Sequence, residues 1–65
     1  MIEQVYLKLY LTTKNKETLK NPLEQLAHIL QRELVDRLKL GADYGNVQDD
    51  SGNVIGAWNI ILGHL

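Results

Sequence analysis

Four oxygen-bearing side chains crowd into the stretch "DDSGN": Asp49, Asp50, Ser51 and Asn53. Oxygen donors at alternating positions are what a calcium loop supplies. The spacing breaks that pattern, because position six counted from Asp49 is Val54, where the sharp turn needs glycine, and position twelve is Ile60, where a bidentate glutamate belongs. The same residues read more simply as a turn. Asp49, Asp50 and Ser51 bond their own backbone, and Gly52 and Asn53 tolerate positive φ. The expectation is therefore a hairpin with no metal and no cofactor.

His28 and His64 are the two side chains that titrate near neutrality. His28 falls toward the polar side of a helix and His64 stands beside the last residue. No serine or cysteine pattern and no His-x-x-x-His spacing accompanies them, so nucleophilic and zinc chemistry have no support and the chain reads as no enzyme. Lys14, Lys16 and Lys20 cluster around a helix start, where free N–H groups attract anions, which makes a phosphorylated small molecule or nucleotide a candidate ligand. Glu17 and Glu24 weaken that field. Trp58 is a candidate platform for such a ligand or an anchor for a partner. In a chain without phenylalanine it is equally the largest core filler.

These residues need elements to position them. Val5, Leu7, Leu9 and Leu11 alternate with Tyr6, Lys8, Tyr10 and Thr12, which predicts a strand with one strongly apolar face. "NPLE" predicts a helix start, with Asn21 as N-cap, Pro22 at the first helical position and Glu24 reaching back to the cap. At 100° per residue, Leu19, Leu23, Leu26, Ala27, Leu30, Leu34 and Leu38 form one stripe opposed by Gln25, Arg32, Asp36 and Lys39, with Ile29 and Val35 on its flanks. Gly41 permits the left-handed turn that closes the helix. "ADYGNVQ" and "NVIGAWNIIL" then form two strands joined by "DDSGN".

The predicted fold is a single α+β domain over residues 1–65, a small β-α-β-β unit whose three-stranded sheet carries one helix on one face. If the leucine side of the first strand and the Trp58 side of the last meet the helix, then Tyr6, Tyr10, Ile55, Ala57 and Ile61 stay on the uncovered side. Such a patch rarely stays bare, so a homodimer or higher oligomer is expected to bury it. Gly56, on the Trp58 side, has no side chain where one would help the sheet, which predicts close approach by the helix, the Trp58 ring or another subunit.

Composition points the same way. A chain of 65 residues buries only roughly 60% of its unfolded surface, and small domains make up the deficit with disulfides, metals or partners. The absence of cysteine excludes disulfides and thiolate metal sites and leaves oligomerisation. Seven basic residues against eight acidic ones give a net charge of -1, so nucleic acid has no global electrostatic case. "MIEQVYLKLYLTT" lacks the basic start and apolar run of a signal peptide, and nothing approaches the roughly 20 apolar residues of a membrane span. The expectation is a soluble, cytoplasmic chain with no membrane partner.

One resemblance adds a setting. Asn21, Pro22 and Glu24, then Ile29, Leu30 and Leu38, Gly41 and Gly45, and finally Asp49, Gly52, Asn53, Gly56 and Trp58 form a pattern: an Asn-Pro helix start, a Gly-x-x-x-Gly link and an Asp-x-x-Gly-Asn-x-x-Gly-x-Trp hairpin. This pattern resembles a family of small, mostly uncharacterised proteins encoded by phages and bacterial genomes, across about two-thirds of the chain. The resemblance implies a phage or prophage protein acting by binding in the host cytoplasm. It would inhibit a host or defence protein or, as the alternative, sequester a signalling nucleotide.

Overall fold

The structure, a computed structural model, describes residues 2–64, the side chain of His64 excepted. Strand β1 spans Ile2–Leu11, β2 Tyr44–Gln48 and β3 Val54–His64, in the spatial order β1-β3-β2 with both neighbours antiparallel to β3. Between β1 and β2 the chain is helical: α1 (Lys16–Lys20), α2 (Pro22–Leu30), a π-helical turn at Gln31–Val35, and α3 (Asp36–Lys39). The expected α+β fold, with a three-stranded sheet and one main helix packed on it, is the fold observed.

The sheet faces follow from the register. Leu9 lies opposite Trp58, Leu7 opposite Ile60 and Val5 opposite Leu62, while on the other side Gly45 and Val47 lie opposite Trp58 and Gly56. Paired residues share a face, so the leucines and Trp58 are on the helix side, as expected. The core there is Ile29, Leu34, Val47 and Trp58, with Leu11, Leu30, Ala42, Ile55 and Ile60 packed around it.

The helix departs from expectation at both its start and its face. It begins earlier, at α1, where Asn15 is the N-cap and its Oδ1 accepts the Glu17 N–H at 2.9 Å. Asn21 makes no side-chain cap bond; it is a break between α1 and α2, and Pro22 follows at the first position of α2. The predicted leucine stripe is also only partly right. Ile29, placed on the flank, is buried, while Leu23 is 84% exposed and Leu19 and Leu38 are also exposed. The π turn is the physical reason. A π turn closes i to i+5, so it brings Ile29 and Leu34, five apart, onto one side, whereas a 100° step would set them far apart.

Two turns came out as their residues require. Gly41 takes φ +92, with Ala42 N–H bonding the Arg37 carbonyl and Gly41 N–H the Leu38 carbonyl, the paired bonds of a Schellman closure. Gly52 takes φ +85 in the hairpin. Asn53 does not, since no non-glycine residue among those described has positive φ. Its backbone and side-chain N–H groups instead bond Asp49.

The helix packs on β2 rather than across the whole sheet. β2 ends where Tyr44 meets Asn59 and the Asp43 carbonyl takes the Ile60 N–H at 2.7 Å. Beyond that point β1 and β3 continue alone as a two-stranded ribbon. The result is elongated, 45 × 20 × 18 Å with a radius of gyration of 13.4 Å, against about 11 Å for a compact chain of this length. No helix among the described residues is long and apolar enough to cross a membrane.

Candidate functional site

The hairpin carboxylates are structural. Asp49 is buried, and its oxygens accept the Ser51 N–H at 3.0 Å, the Asn53 N–H at 2.9 Å, and the side-chain amides of Asn15 and Asn53 at 3.2 and 3.3 Å. The Asn53 N–H is the chief cause that holds its carboxyl below the ordinary range; burial pulls the other way, and the remaining donors add to the lowering. Asp50 faces the helix, with Arg32 at 2.6 Å and His28 at 3.8 Å. Arg32 also donates to the Gln48 carbonyl at 2.7 Å.

Glu33, buried within the π turn, accepts the Gln48 N–H at 2.9 Å and the Arg37 guanidinium at 2.9 Å. Every buried side-chain nitrogen and oxygen among the described residues has a partner. Such a network ties helix to hairpin. No cluster of three or more His, Cys, Asp or Glu capable of holding a metal occurs among the described residues.

The candidate ligand residues are not brought together. Lys14, Lys16 and Lys20 lie exposed around α1, and Lys20 pairs with Glu17 at 3.4 Å. Trp58 is 2% exposed, and its indole N–H is donated to the Glu33 carbonyl at 3.0 Å. Its ring fills the core, so it presents no stacking face beside those lysines. His28 is exposed; His64 lies outside the described side chains.

What remains open is the sheet. Tyr10 is 68% exposed, Tyr6 about half, and Ala57 and Ile61 are exposed beside them; Ile55 is partly covered because it packs against the core. The register brings Tyr6 opposite Ile61 and Tyr10 opposite Ala57 on one face. Tyr44, exposed and paired with Asn59, joins that face, and a shallow groove runs over Ala57 between Tyr10, Lys8, Tyr44 and Asn46. Sequence reading missed Tyr44: counting back from the hairpin turn in regular register sets it opposite Trp58, and the irregularity between Val47 and Gln48 is what moves it opposite Asn59 on the open face. The helix side is also bare over β1, with Val5 65% exposed and Leu7, Leu9 and Leu62 all exposed. Both faces of the β1 end of the sheet are therefore apolar and uncovered.

Compared with known protein families, curated proteins and solved structures, the chain matches none.

Proposed function

We propose that this chain is a small non-enzymatic binding protein that works as a homo-oligomer, burying the β1 end of its sheet against further copies. One observation carries the reading: a strand of 10 residues is exposed on both faces along nearly its whole length, while the buried apolar core among the described residues is four side chains. A core that small is thin for an independent domain, and a bare two-stranded ribbon is marginal in water. Association supplies the missing burial at Tyr6, Tyr10, Ala57 and Ile61, with Ile55 at the margin. The resemblance of the Asn-Pro helix and its hairpin to phage-encoded proteins supports a setting in which the assembled form binds and inhibits a host or defence protein.

Sedimentation equilibrium across a concentration series tests the self-association. A dimer or larger species at micromolar concentration is the expected result, and a strict monomer at high micromolar concentration rejects it. Pull-down from host lysate by the assembled protein, with mass spectrometry, tests the inhibitory role; capture of nothing above the control rejects that part alone.

A further inference from the structure

Resting on that self-association, the geometry points to the free edge of β1 as the primary contact, pairing antiparallel with β1 of a second copy about a two-fold axis at Leu7. The direction of the backbone groups is set by one bond. Thr12 N–H donates to the Ile55 carbonyl at 2.9 Å and continues the register in which Tyr10 meets Ala57 and Lys8 meets Asn59. In an antiparallel ladder, N–H and C=O of one residue point the same way and alternate residues point oppositely. Even-numbered residues of β1 therefore face β3. Val5, Leu7, Leu9 and Leu11 turn both backbone groups outward, to an edge on which no other strand of the sheet lies.

That edge is lightly guarded. Edge strands of monomeric proteins are kept short, interrupted by proline or a bulge, or charged. β1 has 10 residues, no proline, its one irregularity at the far end between Ile2 and Gln4, where Glu3 also lies, and one charge in its middle, Lys8. The outward set from Val5 to Leu11 is aliphatic, and Val5, Leu7 and Leu9 lie exposed on the helix-side face while Leu11 packs against the core.

Symmetry then selects the partner and the register. Antiparallel pairing of two identical strands joins outward residues only to outward residues. Centring on Lys8 would set two ammonium groups directly opposite one another, which is unfavourable. Centring on Tyr6 pairs Val5 with Leu7 of the partner subunit but sets Leu9 against Glu3 of the partner subunit, beside the bulge, whereas centring on Leu7 moves Glu3 to the end of the pairing, opposite Leu11 of the partner subunit. Centring on Leu7 pairs Leu7 with Leu7 of the partner subunit and Val5 with Leu9 of the partner subunit, and it lays Lys8 across from Tyr6 of the partner subunit, where the ring attracts the cation. Pairing of this kind keeps each face of the sheet on the same side. The product is a continuous six-stranded sheet with both helices on one face and the leucine surfaces of both β1 strands joined between them.

Because the chain has no cysteine, single cysteines report only contacts between copies. Hydrogen-bonded antiparallel partners have Cα atoms about 5.5 Å apart, within disulfide reach. Two Val5 residues in this register are about 13 Å apart, out of reach. Under mild oxidation Leu7→Cys is expected to form a covalent dimer as its main product, and Val5→Cys to stay uncross-linked, with sedimentation equilibrium of the parent showing a dimer. A parent that dimerises while Leu7→Cys fails to cross-link, or Val5→Cys cross-links equally well, overturns the edge register and leaves self-association standing. A parent that is strictly monomeric overturns both.

Discussion

Glu33 and Trp58 meet through the main chain: the indole N–H donates to the Glu33 carbonyl at 3.0 Å, while the carboxylate of the same glutamate holds the Gln48 N–H at 2.9 Å. One residue of the π turn therefore fastens the helix to β3 and to β2 at once. Hydrogen bonds to charged groups contribute about 1.5–3 kcal/mol. Glu33→Ala is expected to destabilise by about that amount in urea denaturation, and Glu33→Gln, which keeps an acceptor for Gln48 and loses the Arg37 pair, by less. Equal effects would mean that the backbone bond to Gln48 contributes nothing.

The face of the helix is tested by two truncations. Ile29 is 1% exposed and Leu23 is 84% exposed. Ile29→Ala should cost about 2–5 kcal/mol through lost burial and a cavity, and Leu23→Ala should stay within about 0.5 kcal/mol. Chemical denaturation of both variants decides it; the reverse order would restore the regular leucine stripe and remove the role given to the π turn.

Gly56 is crowded by its own sheet. A Cβ there would collide with the Tyr10 carbonyl oxygen and lie 2.8 Å from the Leu11 Cα, so the nearest approach comes from the β1 backbone rather than from the helix or the Trp58 ring. Backbone cannot swing aside as a side-chain tip can. Gly56→Val is expected to cost at least about 1–3 kcal/mol by overpacking, despite the strand preference of valine. Urea denaturation at two protein concentrations measures it, since the stability of an oligomer depends on concentration.

Asp49 gives the fold an acid-sensitive turn. Its folded-state pKa is depressed, so the stabilisation it provides is present above the unfolded value of about 3.9 and is lost as pH falls through the lower folded value. The parent should lose stability between about pH 5 and about pH 2 more steeply than Asp49→Asn, which cannot titrate. Urea midpoints across that range provide the comparison, and parallel curves would remove Asp49 as a source of the slope.

The open face should govern assembly beyond the edge. Ile61 and Tyr10 lie on that face without supporting the core. Ile61→Ser and Tyr10→Ser are expected to weaken self-association roughly tenfold or more, since burying a large apolar side chain contributes about 1.5–3 kcal/mol. The readout is sedimentation equilibrium, with circular dichroism showing that each variant keeps its fold. Unchanged association in both would confine the interface to the β1 edge.

Much of the architecture was legible in the chain because it depends on local chemistry. The period-two alternation from Val5 to Thr12 determined a strand and which of its sides is aliphatic, the "DDSGN" run determined the hairpin, and Gly41 and Gly52 determined the two left-handed turns, since only a residue without Cβ adopts that conformation cheaply. Pairing the aliphatic side of β1 with the Trp58 side of β3 followed from hydrophobic patterning alone. The tertiary structure decided what depends on residues distant in sequence. Asn15 became the cap that mattered because its side chain also reaches Asp49 and Ser51, contacts across 34 and 36 residues that no local pattern displays. Ile29 entered the core because a π turn shifted the helix face, and that turn is held in place by Glu33 reaching both sheet strands. Trp58 was drawn from candidate platform to core by the carbonyl waiting for its N–H. β1 was left at the edge, uncovered on both faces, because a helix docked over β2 is too narrow to reach across β3.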